Sequence, residues 1–118
     1  MLNNSAIEVE VSEKLKRDLR ILSKRYRRIR SDVQPIVEQL QAGEMLGSQV
    51  PGVGYPIFKV RIKNSDIQKG KSGGYRLIYY LKTVEKIILI TIYSKSDQAD
   101  ITADEIRSII AEQENLST

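Results

Sequence analysis

Residues 86–93 read Lys-Ile-Ile-Leu-Ile-Thr-Ile-Tyr, an apolar and β-branched run without polar alternation. Such a run suits a strand buried on both faces, because β-branched side chains pack well on a pleated surface and neither face is left to water. This strand belongs in the interior of a sheet. The rest of the chain must place strands beside it and helices against it.

Two strand signals precede it. Phe58-Lys59-Val60-Arg61-Ile62-Lys63 alternates strictly. Phe58, Val60 and Ile62 therefore share one face, and the cations Lys59, Arg61 and Lys63 share the other. Tyr75-Arg76-Leu77-Ile78-Tyr79-Tyr80-Leu81-Lys82 is a second strand, and the glycine- and lysine-rich connection from Gln68 to Gly74 lets it fold back beside the first. Arg76 and Lys71 can then join the cationic row. Tyr79 and Tyr80 point to opposite faces, so at least one belongs to the core. Further upstream, Ile7, Val9 and Val11 alternate with Glu8 and Glu10, the pattern of a short, half-buried edge strand.

Ser12 offers an N-cap, and Leu15, Leu19, Leu22, Tyr26 and Ile29 recur at spacings of four, three, four and three, which predicts an amphipathic helix over 13–29. Ser31 or Asp32 can cap a second helix with Val33, Ile36, Val37 and Leu40 inward, Pro35 near its first turn and Gly43 as its stop. The short connection makes these two helices an antiparallel pair. Residues 43–56 hold four glycines and two prolines, too many breakers for regular structure, and read as a loop. Thr102-Ala103-Asp104-Glu105 is a capping box for a last helix from residue 103, with Ile106, Ile109 and Ile110 inward and a frayed tail after Gln113. The expected order is β-α-α-β-β-β-α, an α+β fold whose antiparallel sheet carries the helical pair on one face. With 118 residues and 41% hydrophobic content, the chain is expected to form a single domain over 1–118.

The chain has neither cysteine nor histidine, so thiolate and imidazole metal sites are not expected, nor is any cofactor, and catalysis must run without either group. The first residues lack a basic region and an apolar run, and no stretch approaches roughly 18 apolar residues, so the expectation is a soluble, cytoplasmic protein away from membranes. The net charge of +4 is unevenly spread: residues 12–30 carry nine bases and two acids, 59–86 eight and two, and 87–118 two and six. Two basic blocks beside an acidic end suggest an anionic partner for particular surfaces. Gly70-Lys71-Ser72 superficially echoes a nucleotide-binding loop, but position 65 is serine where that motif needs its first glycine, which argues against nucleotide hydrolysis.

The string Gly70-Lys-Ser-Gly-Gly-Tyr-Arg-Leu-Ile-Tyr-Tyr80, the Lys59-Val-Arg-Ile strand and the ending Tyr93-Ser-Lys-Ser-Asp97, in this element order, resemble the RelE/ParE superfamily of bacterial toxins, nearest its RelE/HigB-like branch. The resemblance covers about residues 6–112. It implies the RelE-like fold and a toxin of a type II toxin-antitoxin pair, neutralised by a cognate antitoxin in a hetero-oligomer. RelE-like members cleave messenger RNA on the ribosome. ParE-like members share the fold and poison DNA gyrase without being nucleases, and an inactive RNA-binding relative is a further alternative, so the site residues must decide.

Metal-independent RNA cleavage uses attack by the 2′-OH on the adjacent phosphate, with a base, an acid and a stabiliser of phosphate charge. A lysine crowded by other cations can replace histidine, because like charges lower its pKa; Lys59, Lys63, Lys71 and Lys95 are the candidates. Arg61 and Arg76 stay charged and clamp phosphate oxygens, and Tyr93 offers a phenol for proton transfer or a ring for stacking on a base. By resemblance, Lys59, Arg61 and Arg76 match the family's basic strand positions, and Tyr93 and Lys95 match its late site. The expected catalytic set is Arg61, Arg76, Tyr93 and Lys95, with Arg76 at the surface. Lys59, Lys63 and Lys71, together with Arg20 and Arg27 on the basic helix, are expected to bind RNA. The acid Asp66 stands beside this face. An alternating row of cations also serves simply to protect a sheet edge, and the basic helix face can be merely solubilising.

Overall fold

The computed structural model describes residues 7–67 and 73–116. Along the chain it contains β1 (Glu8–Val11), α1 (Glu13–Ser23), α2 (Ile29–Gln41), β2 (Ser48–Gln49), β3 (Ile57–Ile62), β4 (Tyr75–Thr83), β5 (Lys86–Ser94) and α3 (Ala103–Leu116). Among the described residues the strands form one five-stranded sheet in the order β1-β5-β4-β3-β2. The apolar run becomes β5, flanked by β1 and β4, as its composition requires. β3, β4 and β5 are antiparallel in turn, but β1 runs parallel to β5, with Val9 opposite Ile87. The sheet is therefore mixed rather than antiparallel throughout: α1 and α2 carry the chain from β1 to the far edge, where β2 runs opposite to β1, and the three reversals that follow bring β5 back into the direction of β1.

The two faces are covered differently. Leu15, Ile29, Val33 and Leu40 of the helical pair pack on Val60, Ile62, Leu77, Tyr79, Ile87, Leu89 and Ile92. On the opposite face Ile106 and Ile110 of α3 pack on Ile57, Ile78, Tyr80, Ile88 and Ile90. Tyr79 and Tyr80 thus both enter cores, one on each side of the sheet. The Tyr79 hydroxyl donates to the Leu46 carbonyl at 2.7 Å, which satisfies its polar tip.

Several boundaries differ from those the periodicity predicts. α1 stops at Ser23 instead of running to residue 29, and Lys24–Arg28 form a turn that starts with i to i−3 bonds from Lys24 and Arg25. Tyr26 leaves the helix to set its ring edge-on against Tyr75, with centroids 5.8 Å apart. α2 starts at Ile29 with Arg28 as its N-cap, so Ser31 and Asp32 lie within the helix and Pro35 lies beyond its first turn. The cap is tertiary: the Arg28 N–H donates to Asp66 at 2.9 Å, while Asp32 accepts from the Ser65 N–H at 2.9 Å. Asp66 therefore serves the start of α2. The loop over 43–56 contains the short strand β2, whose Ser48 and Gln49 pair with Lys59 and Phe58. α3 continues past Gln113 to Leu116, and Gln113 bonds the Glu13 N–H at 3.1 Å and Glu10 at 3.2 Å, which holds the end that was expected to fray. The capping box forms as expected, with Glu105 N–H to Thr102 Oγ1 and Thr102 N–H to Glu105 Oε1, both at 3.1 Å.

Candidate functional site

β3, β4 and β5 set Arg61 opposite Arg76 and Arg76 opposite Tyr93. Side chains opposite one another in neighbouring strands share a face. Lys59, two residues before Arg61, lies on the same face. Ile57, Ile78 and Tyr80 on that face are covered by α3, whereas Lys59 is half-buried and Arg61 exposed. A row of cations thus continues this face beyond Ile57 and Ile78 and ends in a phenol, Tyr93, that packs in the α3 core.

Tyr93 joins this row because β5 is bulged. The pairing shifts between Ile78, opposite Thr91, and Tyr79, opposite Leu89, which leaves Ile90 as an extra residue. Strict alternation from Ile87 would turn Tyr93 towards α1 and α2. The bulge inverts that alternation, so Ile92 packs with the helical pair and Tyr93 with the α3 core. The bulge is tied to α1: Asp18 accepts from the Thr91 hydroxyl at 2.5 Å and from the Ile92 N–H at 3.3 Å.

Glycine in the Gly-Gly-Tyr-Arg string has a steric cause. A Cβ on Gly74 would collide with the carbonyl oxygen of Ile62 and stand 3.1 Å from the Asn64 nitrogen. The Gly74 carbonyl also accepts from the Lys95 N–H at 2.9 Å, so this position ties together the ends of β3, β4 and β5.

Asp100 supplies the main polar contact within the row. Its Oδ1 accepts from Lys59 Nζ at 3.0 Å, from the Tyr93 hydroxyl at 3.4 Å and from the Ile101 N–H at 2.8 Å. The Lys59 ammonium, then the Ile101 N–H, hold the Asp100 carboxyl below the usual carboxylate range. Burial, then the Asp100 charge, push the Tyr93 phenol up to about 12. At neutral pH Tyr93 is therefore a proton holder and donor rather than a base. Lys59 thus forms an ion pair with Asp100.

The other expected residues are placed as follows. Arg76 is only 6% exposed, with Nη1 donating to the Tyr75 carbonyl at 3.2 Å, so it is not the surface side chain expected. Lys63 is exposed just beyond the end of β3. Lys95 follows β5, with Nζ turned to the Ala99 carbonyl at 2.6 Å. Lys71 lies outside the described residues. Arg20 is exposed in the last turn of α1, and Arg27 is exposed in the turn after it rather than on a helix. That helical pair covers the opposite face of the sheet, so neither arginine joins the row. The sequence reading missed Asp100: a lone carboxylate seven residues after a tyrosine matches no period and belongs to no motif.

The sequence profile of the RelE toxin of the RelE / RelB toxin-antitoxin system matches residues 24–116. The chain belongs to the RelE toxin family. A structure of a double arginine-to-alanine mutant of the E. coli toxin RelE in the free state is similar over 91% of this chain and 96% of that one, with 18% identity and a TM-score of 0.54. At that identity the likeness concerns the fold, and it agrees with the mixed sheet and three helices of this RelE-family chain. TrmO from Pseudomonas aeruginosa also matches 78% of this chain, with 18% identity and a TM-score of 0.46, and the chain spans 37% of the TrmO structure's length. Among the described residues of this toxin, no helix is long and apolar enough to cross a membrane.

Proposed function

We propose that this RelE-family toxin is an endoribonuclease that cuts messenger RNA on the ribosome and is neutralised by a cognate antitoxin. The observation that carries the reading is the register of Arg61, Arg76 and Tyr93 across three adjacent strands, with Lys59 on the same face. In this reading the RNA backbone crosses that end of the sheet. Arg61 and Lys59 hold the phosphate, and Arg76, fixed beneath, adds positive charge as the pentavalent state develops. The 2′-OH attacks the neighbouring phosphorus and gives up its proton to solvent water, the bond to the 5′-oxygen breaks, and the leaving oxygen receives a proton. Tyr93 suits the donor role because its phenol keeps its proton at neutral pH. The products are a 2′,3′-cyclic phosphate and a 5′-OH end. Lys63 and Lys95 flank the path and are assigned to backbone contacts, and the cytoplasm, where translation occurs, is the expected location.

The test maps RNA ends in an actively translating lysate. Wild-type protein should create new 5′-OH ends within translated messages, Arg61→Ala and Tyr93→Phe should create far fewer, and free RNA should be cut poorly. Growth arrest with messages left intact would refute the nuclease reading, and supercoiling-deficient DNA in the same cells would point to gyrase instead.

A further inference from the structure

We propose that the Asp100 carboxylate occupies the place of an RNA backbone phosphate at Lys59 and Tyr93 in the free protein, and that RNA must displace it to bind. This inference rests on the RNA-cleaving reading and concerns how that site is regulated.

A single oxygen of Asp100 gathers an ammonium, a phenol and a backbone N–H, at 3.0, 3.4 and 2.8 Å. Convergent donors of these kinds are what a phosphate oxygen requires. Two of the three come from the sheet, and only the Ile101 N–H belongs to the segment that carries Asp100. The anion therefore sits on the row as a ligand would. Without it, Lys59 and Tyr93 would present those donors outward.

The carboxylate is also free to leave. Its side chain is 65% exposed, and an exposed ion pair is worth little in water. The segment from Lys95 to Asp100 is exposed throughout. It is held by polar contacts: Arg25 to Asp97 at 2.6 Å, Lys95 Nζ to the Ala99 carbonyl at 2.6 Å, and the Gln98 amide to the Asp100 carbonyl at 2.9 Å. The Asp100 charge can swing away while the backbone N–H groups of Asp97 and Gln98, bonded to the Ser94 carbonyl at 3.0 and 3.1 Å, keep the segment in place. A phosphodiester carries the same single negative charge, so the exchange leaves Lys59 neutralised before and after.

Tethering gives Asp100 a high effective concentration at the row, which disfavours a ligand that binds there alone. RNA held by additional contacts elsewhere overcomes that competition more readily. The latch thus gives a physical reason for the toxin to act poorly on free RNA.

The test uses the full chain and a fluorescent single-stranded RNA hexamer whose 2′ positions are methylated, so that it binds without being cut. Anisotropy titrations at low salt compare wild type with Asp100→Asn, Asp97→Asn, Lys59→Gln and Arg61→Ala. Asparagine keeps the shape of Asp100 and can still accept from the Ile101 N–H, and thermal unfolding checks that each variant is folded. Asp100→Asn should bind roughly fivefold more tightly, the scale set by losing one exposed ion pair. Asp97→Asn, which removes an equal charge from the same segment, should bind like wild type, and Lys59→Gln should bind more weakly. In the Lys59→Gln background, Asp100→Asn should lose most of its effect. If Lys59→Gln weakens binding but Asp100→Asn does not tighten it, the latch is wrong and the RNA site stands. Equal tightening by Asp97→Asn reduces the effect to general charge and also overturns the latch. If neither Lys59→Gln nor Arg61→Ala changes binding, the RNA-site reading itself fails.

Discussion

Arg61 and Arg76 are cross-strand partners on β3 and β4, like charges side by side on one face of the sheet. Directly opposed like charges destabilise a sheet, whereas an anion laid across them relieves the repulsion. Arg61→Gln should therefore raise stability to urea by about 0.5 kcal/mol while reducing RNA cleavage. Equilibrium unfolding and end mapping on the same preparation check the two effects. A variant that loses both stability and cleavage would mean that Arg61 packs structurally rather than facing a ligand.

Asp18 reaches from α1 to the bulge in β5, where it accepts from Thr91 and Ile92. Lys14 pairs with the same carboxylate at 2.5 Å. Asp18→Ala leaves the buried Thr91 hydroxyl without this acceptor and the Ile92 N–H without its cap. A cost of about 1–3 kcal/mol is expected from urea midpoints, the range for an unsatisfied buried polar group. Because the bulge turns Tyr93 onto the cationic face, cleavage measured well below the denaturation midpoint should fall too.

The features legible from sequence are those whose partners lie close along the chain. The interior position of β5 follows from its unbroken apolar run, and the start of α3 from Thr102 and Glu105, which satisfy each other within one turn. The break between α1 and α2 left no such mark. Tyr26 and Ile29 continue the helical spacing and are both buried, as a helix would require. They are buried for another reason: Tyr26 packs on Tyr75, and Asp66, distant in sequence, caps Arg28. For the site, alternation alone places Lys59 with Arg61, and strand pairing adds Arg76. Tyr93 reaches them through an extra residue hidden in a uniform isoleucine-rich run. Asp100 arrives from a segment with no regular structure to project.

Tyr93 should behave as a titratable reporter of the folded site. Its phenol is raised to about 12 by burial and then by Asp100, against about 10 for an unfolded tyrosine. The folded state therefore keeps a proton that the unfolded state releases. The stability from this linkage is complete below pH 10 and is lost as pH rises from about 10 to about 12. Burial raises Tyr75, Tyr79 and Tyr80 in the same direction. Melting temperatures should fall over that window, and Tyr93→Phe should show a smaller fall than wild type. In spectrophotometric titration, the folded Tyr93→Phe protein should lose one late-titrating phenol. An unchanged alkaline profile would show that Tyr93 is not held protonated by its surroundings.

Gly74 is where β3, β4 and β5 converge, and it tests the steric basis of the glycine string. A methyl group there meets the Ile62 carbonyl and the Asn64 nitrogen, both backbone atoms that cannot rotate away. Gly74→Ala should therefore cost about 1–3 kcal/mol, the range for forcing extra volume into a packed site. The strain falls on the first residues of β4, immediately before Arg76, and on the Lys95 N–H bonded to the Gly74 carbonyl. Hydrogen exchange should consequently show lost protection at Lys95 and at the β3–β4 pairing near Ile62, with Ile87 to Ile90 unaffected. RNA cleavage should drop even where the variant remains folded, because Arg76 shifts relative to Arg61 and Tyr93. Full stability in Gly74→Ala would mean that β3 and β4 can separate locally at no cost, and the close approach would then not be the reason for glycine.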